Sequence, residues 1–259
     1  MTKSRQLISL IFLLAANTCM AFAPLSSQEK MITKHPRRRQ QFSSSSTALG
    51  MGLTIYGHPG TRSPLVNWAA IEAGLEFEMG DLAKNPHPFG QLPCVTDDED
   101  VVVFESGAIL EYIHQQTSAK TMSKKDVASV ISWIVFANAS LDPICFKETP
   151  TGQVYDTGLK EENKKIARIN TILSKQDFLL GEEFSLADVA VASYLLYVVL
   201  FFPNSVGGIQ KMYPNLHSYM IRCVSRDAYG QAFGSGTQTK LLDILNAGAS
   251  KDKKLFGVF

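Results

Sequence analysis

The sequence predicts an α+β protein whose N-terminal half mixes strands and helices and whose C-terminal half is all helical. Three observations support this fold class. The 259 residues are 45% hydrophobic and 19% charged, which is an ordinary globular composition. Short β-type runs alternate with helical stripes between residues 51 and 118, whereas only helical periodicity is found from Met122 onward.

The charge is unevenly distributed along the chain. Residues 1–50 contain seven Lys and Arg residues and one acid, so residues 51–259 carry 18 basic and 23 acidic residues, a net charge of −5. A mildly acidic body argues against a nucleic-acid or anionic-membrane partner. The four cysteines are widely spaced and form neither a disulfide framework nor a metal-ligand pattern, so we expect reduced thiols and no metal.

The first fifty residues have the composition of a targeting leader. Residues 1–21 combine a short basic start, an apolar run and small residues up to Ala21, which is typical of a secretory signal peptide. Residues 22–50 contain six serines, five basic residues and one acid, as in a transit peptide. With Phe22 after the cleavage point, this resembles the bipartite leader of algae with secondary plastids. It predicts import into the plastid stroma through the endoplasmic reticulum; the alternative is secretion or residence in the endomembrane lumen.

The first strand and the first helix are predicted from residues 53–74. A β-type run over residues 53–56 ends in a turn of Gly and Pro. The helix that follows is predicted to begin with Thr61 or Ser63 as its N-cap and with Pro64 in its first turn, where a missing N–H costs nothing. Gly74 is predicted to end it.

The rest of the N-terminal half reads as strand, loop, hairpin and helix. A strand is predicted over residues 76–79, a hairpin from residues 93–96 and 101–104, and a helix from Glu105. The resulting order, βαβ followed by ββα, predicts a thioredoxin-like domain over residues 51–118.

The C-terminal half, residues 122–246, is predicted to be all helical and to precede a tail at residues 247–259. Residues 186–202 are apolar nearly all round, but the 17-residue run contains Asp188, which favours a buried central helix over a membrane span. Ser185 and Asp188 have the spacing of a capping box. Helices are predicted over residues 123–146, 157–176, 186–202, 211–226 and 239–246.

Two motifs carry a family resemblance. Gly90-Gln-Leu-Pro-Cys-Val95 precedes an acidic turn, and Val103-Phe-Glu-Ser-Gly-Ala-Ile-Leu-Glu-Tyr-Ile113 follows it. This pattern resembles the glutathione-binding half of the glutathione S-transferase family, and residues 180–188 resemble a marker of the helical half. The resemblance covers residues 52–235 and implies a thioredoxin-like domain followed by a helical domain.

The resemblance also implies which residues bind glutathione. Pro93 is implied to follow a cis peptide bond, which leaves the backbone of Leu92 free to pair with the cysteinyl unit as an added strand would. Gln91 belongs to the same segment. Glu105 and Ser106 are implied to hold the γ-glutamyl unit at a helix N-terminus, where N–H groups and the helix dipole favour a carboxylate.

The turn after the first strand is expected to activate the thiol. The run Gly57-His-Pro-Gly-Thr61 looks like the Gly-His-Pro-x-Ser turn of plant-type members, in which the serine is catalytic. Thr61 is therefore the first candidate and Ser63 the second. The loop before Gly90 is shorter than the family usually has, which leaves Lys84 as the local cation for the glycine carboxylate. His58 could also line the site.

The resulting prediction is a homodimeric glutathione transferase. It would conjugate glutathione, its co-substrate, to small hydrophobic electrophiles or use it to reduce peroxides, in detoxification or stress. No nucleic acid, metal or membrane is expected to bind the processed protein. The alternative is a non-catalytic binding or assembly module, which the short loop and the absence of a Tyr or Cys helper favour.

Overall fold

The computed structural model describes the backbone of residues 52–253 and the side chains of residues 52–247. The predicted signal peptide, transit peptide and Phe22 signal lie outside the described residues. The two described halves have the predicted fold class: a small mixed sheet with helices, followed by a helical domain.

The N-terminal half contains a four-stranded sheet in the order β2-β1-β3-β4. Strand β1 pairs in parallel with β2 and antiparallel with β3, and β3 pairs antiparallel with β4. This is the predicted thioredoxin-like order. The bounds are β1 Leu53–Tyr56, α1 Ser63–Glu72, β2 Phe77–Met79, β3 Cys94–Thr96, β4 Val102–Phe104 and α2 Ser106–Gln116.

Helix α3 begins the C-terminal half and is interrupted where one continuous helix was predicted. It spans Lys124–Phe136 and leads through a π-helical turn, Ala137–Leu141, into the short helix α4, Asp142–Cys145. Pro143 explains the irregularity because it has no N–H to donate to the carbonyl one turn earlier.

A small hairpin follows α4, although no strand was predicted there. Strands β5 (Lys147–Glu148) and β6 (Val154–Asp156) pair antiparallel. Helix α5 then spans Lys164–Ile172, shorter than the predicted 157–176. It begins late because the Asn163 side chain accepts hydrogen bonds from the first N–H groups of the helix.

Helix α6, Leu186–Phe201, is the central helix of the protein. Fourteen of its 16 residues are buried, which confirms the predicted core helix. Tyr213 and Pro214 divide the predicted helix 211–226 in two, and the last helix is longer than the predicted 239–246. The remaining bounds are α7 Val206–Met212, α8 Pro214–Val224, α9 Asp227–Phe233 and α10 Ser235–Lys253.

The two halves are joined by an ion pair between α1 and the residue that precedes α9. The Arg226 guanidinium donates to both carboxylate oxygens of Glu72, at 2.6 and 2.7 Å, and lies over the Phe184 ring. Glu72 also accepts from the indole N–H of Trp68, whose ring meets Tyr229 edge-on at 5.0 Å. These contacts fix α1, and therefore the turn before it, against the helical half.

Candidate functional site

A cleft of about 620 Å³ lies between the thioredoxin-like half and helices α3 and α4. The turn before α1, the loop before β3 and the N-terminus of α2 form one wall, and α3 with the π-helical turn forms the other. Six of the predicted site residues line this cleft: Thr61, Gln91, Leu92, Pro93, Glu105 and Ser106. Ser63, Lys84 and His58 are not among the lining residues.

The loop before β3 forms the edge of the cleft. The peptide bond between Leu92 and Pro93 is cis, as the family resemblance implied. The Asn85 side chain donates a hydrogen bond to the Gln91 carbonyl at 3.0 Å and holds the loop in place. Within the described residues, neither backbone polar group of Leu92 has a hydrogen-bond partner. An extended peptide can therefore add to the sheet at this position.

The N-terminus of α2 faces the same cleft. Glu105 precedes the helix with a φ of 69°, a left-handed conformation that residues other than glycine rarely adopt. Such backbone conformations concentrate at functional sites because the surrounding structure must hold them in place. Ser106 is the first residue of α2 and is 3% exposed. The arrangement presents helix N–H groups beside a carboxylate, which suits the carboxylate and the ammonium of an α-amino acid.

The turn before α1 corrects one prediction. Neither Thr61 nor Ser63 caps the helix: Arg62 is in the N-cap position, and no side chain caps it. The hydroxyl groups instead bond within the turn, because the Thr61 hydroxyl donates to the His58 carbonyl at 2.8 Å and lies 2.6 Å from the Ser63 hydroxyl. The Ser63 oxygen accepts from the His58 N–H at 3.1 Å.

These bonds close a ring in which both hydroxyl protons are used. If Thr61 donates to the His58 carbonyl, the proton between the two hydroxyls must come from Ser63. Thr61 borders the cleft, whereas Ser63 is 1% exposed and lies behind it. A ligand in the cleft therefore meets Thr61 first.

Arg62 and Asp142 form an ion pair inside the cleft that was not predicted. One guanidinium nitrogen lies 2.9 Å from each carboxylate oxygen, and the guanidinium lies 5.1 Å from the centre of the Tyr194 ring. Burial raises the pKa of the Asp142 carboxyl, and Arg62 offsets only part of this rise. Burial opposes the charge of Arg62, but Tyr194 and Asp142 outweigh it and keep the pKa of Arg62 above its usual value.

His87 is a second cleft residue that was missed. It is 6% exposed, lies against the Phe104 ring at 4.8 Å, and its Nδ1 accepts the N–H of Phe89 at 3.0 Å. The neutral ring must therefore carry its proton on Nε2. Burial lowers the pKa of His87, with Glu105 acting weakly in the opposite direction. The signal in the sequence was the Asn-Pro-His-Pro run just before the Gln-Leu-Pro motif.

His58 and Lys84, which the sequence offered for the site, are not among the residues that line the cleft. The Nδ1 atom of His58 accepts the N–H of Gly60 at 3.0 Å, so this histidine stabilises the turn. Lys84 ends an exposed 3₁₀ turn over Leu82–Lys84 and does not line the cleft. On this loop, His87 lines the cleft and Lys84 does not.

The opposite wall of the cleft is largely apolar. It consists of side chains from α3 and the π-helical turn, among them Ile131, Ile134, Val135 and Ala139. Asn138 lies on the same wall and accepts a hydrogen bond from the Tyr194 hydroxyl at 2.9 Å. Such a surface suits a small hydrophobic molecule beside the polar wall.

The described residues contain no group of three or more His, Cys, Asp and Glu side chains that could hold a metal ion. Cys94, Cys145 and Cys223 are free and buried. Burial raises the pKa of each thiol, so these cysteines are poor nucleophiles at neutral pH.

Two family models match the chain. The model described as "Glutathione S-transferase, N-terminal domain" matches residues 51–115, and "Glutathione S-transferase, C-terminal domain" matches residues 128–227. Together they cover more than half of the sequence and coincide with the sheet-containing half and with most of the helical half.

Curated proteins that are similar to this chain include elongation factor 1-gamma. Elongation factor 1-gamma of Danio rerio is 27% identical over 215 residues, which is 70% of this chain and 46% of that protein. This chain therefore spans about half the length of the curated relatives it matches.

Solved structures also share the fold. Ure2p5 of Phanerochaete chrysosporium, crystallised with 1-(S-glutathionyl)-2,4-dinitrobenzene, has a TM-score of 0.58 and 20% identity, covering 76% of this chain and 98% of its own. The glutathione transferase URE2P6 of the same fungus, in complex with oxidized glutathione, has a TM-score of 0.59 and 20% identity, covering 74% and 98%. At this identity the likeness concerns the fold alone.

Proposed function

Because the chain belongs to the glutathione S-transferase family, we propose that its cleft binds glutathione and directs the glutathione thiolate at small hydrophobic electrophiles or peroxides. In conjugation, the sulfur forms a bond to the electrophilic carbon as the leaving group departs with its electron pair, and the thiol proton goes to solvent. One observation carries the proposal: the strand-like edge at Leu92 and the helix N-terminus at Ser106 open into a single cleft.

Each part of glutathione has a complementary group in the cleft. The unpaired backbone of Leu92 suits the cysteinyl unit, and Glu105 with the N-terminus of α2 suits the ammonium and carboxylate of the γ-glutamyl unit. We assign the glycine carboxylate to the Nε2–H of His87 rather than to Lys84, because His87 lines the cleft. A neutral donor binds a carboxylate less strongly than a lysine would.

Thr61 is the candidate for thiol activation. A hydroxyl that donates a hydrogen bond to sulfur stabilises the thiolate and lowers the pKa of the thiol. Thr61 can do so if its proton turns from the His58 carbonyl to the sulfur, while Ser63 continues to donate to the Thr61 oxygen. The N-terminus of α1 begins at the next residues and adds a favourable dipole.

A second function is a glutathione S-transferase-like module without turnover. The closed hydroxyl ring favours it, since a donor engaged with the His58 carbonyl must first be released. The relatives named elongation factor 1-gamma favour it as well, because that name describes no transferase. In this case the cleft would serve binding or assembly.

Retention on glutathione resin together with a turnover assay separates the two functions. We expect the purified protein to bind the resin and to conjugate 1-chloro-2,4-dinitrobenzene; a panel of further electrophiles and peroxides extends the assay. Glu105→Gln should reduce retention, whereas Glu99→Gln, in the exposed turn between β3 and β4, should not. Retention without turnover on any substrate supports the module, and the absence of retention rejects glutathione binding and with it the transferase.

We also propose that the protein forms a homodimer. Phe89 is 70% exposed, and Val102 on the edge strand β4 is 43% exposed. The helical segment Lys124–Cys145 is long and apolar enough to cross a membrane. Within one chain, only 22% of an apolar 18-residue stretch of this segment is buried, so much of its surface is uncovered. Apolar surface of this kind suits a subunit interface. Light scattering at micromolar concentration should give twice the mass of the chain, and a monomer mass would reject the dimer.

The plastid location is a proposal based on residues 1–50. A fluorescent protein fused after Gly50 should enter the plastid, where the cleft would serve detoxification. Replacing Phe22 with Ala should divert the fusion if that residue is the entry signal. Unchanged import of the variant would reject the role of Phe22, and secretion of the unaltered fusion would reject the plastid itself.

A further inference from the structure

Asn138 lies where the helical half of the protein meets the N-terminus of α2. It belongs to the π-helical turn after α3 and lines the cleft together with Ser106 and Gly107, the first two residues of α2. A Cβ atom at position 107 would overlap with the Nδ2 atom of Asn138, so the missing side chain of Gly107 lets the amide come this close. The Asn138 amide therefore lies directly against the start of α2.

Tyr194 fixes the orientation of the Asn138 amide. Its hydroxyl donates to the Oδ1 atom of Asn138 at 2.9 Å, which leaves the two N–H groups on Nδ2 as donors. The Ser106 hydroxyl donates in turn to the Tyr194 oxygen: burial raises the pKa of Tyr194, and this bond opposes part of the rise. Tyr194 is 1% exposed and belongs to α6, so the core of the helical half holds the amide in place.

The donors at this point have no acceptor within the part of the chain that the structure describes. The Nδ2 atom of Asn138 makes no hydrogen bond there, and no side chain caps the start of α2. The first N–H groups of a helix have no partner inside the helix itself. Because the Ser106 hydroxyl already donates to Tyr194, the backbone N–H groups of α2 and the Asn138 amide are the donors left for a ligand.

We propose that Asn138 is a specificity-determining residue that donates a hydrogen bond to the α-carboxylate of the γ-glutamyl unit. This inference rests on the proposed binding of glutathione, and it adds a contact from the helical half to a subsite otherwise built by the thioredoxin-like half. A carboxylate has two oxygens and can accept from both the helix N-terminus and the amide. The ammonium of the same unit can only donate, so it gains nothing from Nδ2 and has Glu105 as its partner.

Two trimmed ligands separate the carboxylate from the rest of the γ-glutamyl unit. The S-hexyl derivative of 4-aminobutanoyl-cysteinylglycine lacks only the α-carboxylate, and that of glutaryl-cysteinylglycine lacks only the ammonium. Calorimetry with the whole protein compares both ligands with S-hexylglutathione. Asn138→Ala should weaken S-hexylglutathione and the glutaryl ligand by about tenfold each, as expected for one hydrogen bond to a charged group. It should leave the affinity for the 4-aminobutanoyl ligand unchanged.

Two further variants test the same contact without removing the acceptor of Tyr194. Asn138→Asp keeps the size of the side chain but replaces the donor with a negative charge, so it should weaken both ligands with the α-carboxylate more than Asn138→Ala does. Gly107→Ala displaces the amide, so it should cause a similar loss and no further loss when combined with Asn138→Ala. The control is Asn204→Ala, in the exposed turn before α7, which should leave all three affinities unchanged.

The differences among the three ligands decide the outcome. If Asn138→Ala weakens all three ligands equally, Asn138 only supports the fold, and the proposal is overturned. It is also overturned if the wild type binds S-hexylglutathione and neither substitution of Asn138 changes that affinity; glutathione binding then stands and only the role of Asn138 falls. If the wild type does not bind S-hexylglutathione at all, the proposed function falls together with the role of Asn138.

Discussion

Helices α1 and α6 both follow a turn with a hydroxyl side chain, yet they begin in different ways. At α6, the Asp188 carboxylate accepts hydrogen bonds from the N–H and the hydroxyl of Ser185, each at 2.9 Å. It also accepts from the Leu179 N–H at 2.9 Å and the Tyr219 hydroxyl at 3.1 Å. Asp188 is fully buried, and all four bonds are internal to the protein.

Helix α1 departs from the usual pattern. Arg62 is in its N-cap position, and the hydroxyls that would be good caps form a ring with His58. As a result, Arg62 and Thr61 face the cleft. The start of α6 satisfies its own polar groups and so contributes to stability, whereas the start of α1 departs from the usual capping pattern and leaves polar groups facing the cleft.

The largest effect is expected from Asp188→Ala. Four donors lose their acceptor in a buried place, which should cost about 3–5 kcal/mol of unfolding free energy and about 10 °C of melting temperature. Asp126→Ala is the matched control, because Asp126 has the same position in the exposed start of α3. It should cost only about 0.5–1 kcal/mol. Thermal and urea unfolding measure both variants, and an equal loss of stability in Asp188→Ala and Asp126→Ala would contradict the comparison.

The second effect concerns turnover. Thr61→Ala should lower conjugation at about pH 6.5 by about tenfold. A donor that lowers the thiol pKa by about one unit raises the thiolate fraction about tenfold at a pH below that pKa, and the variant loses this gain. Retention on glutathione resin should persist, and Thr61→Ser should restore turnover. If Ser63→Ala lowers turnover instead, Ser63 is the donor. If neither variant changes it, Arg62 or no side chain activates the thiol, which favours the module.

The third effect concerns the stability of the turn. Ser63→Ala removes the acceptor of the His58 N–H and one partner of Thr61, which should cost about 1–2 kcal/mol of unfolding free energy. The measurement is urea unfolding of the variant beside Thr61→Ala. A wild-type midpoint for Ser63→Ala would show that the hydroxyl ring contributes nothing to the start of α1.

The smallest effect is a change in glutathione affinity with pH. The pKa of His87 lies below its usual value because of burial, and a carboxylate bound beside the ring would raise it. Binding then takes up a proton, so affinity should rise about threefold between roughly pH 7.5 and 5.5. His87→Asn keeps an acceptor for the Phe89 N–H but cannot be charged, so its affinity should not change with pH. If calorimetric titrations show that the affinity of His87→Asn changes with pH as much as that of the wild type, the glycine carboxylate binds elsewhere.

Local signals determined much of this protein. The order of the strands along the chain, the end of α1 just before the left-handed Gly74 and the capping box of α6 depend on residues close in sequence, so pattern and spacing predicted them. These features arise from backbone propensity and short-range hydrogen bonds. The segment around Leu92 and Glu105 was identified instead through its resemblance to the glutathione-binding half of the family.

Tertiary structure decided the rest of the cleft. The pairing of Arg62 with Asp142 joins residues 80 positions apart and depends on how the two halves pack, so no local pattern contains it. The hydroxyl ring at Thr61 replaced the predicted cap because the closed turn offered both the carbonyl and the N–H of His58. The inward position of His87 follows from the fold of its loop. A side chain's electrostatic surroundings are set by its neighbours in space, and the sequence specifies these only through the completed fold.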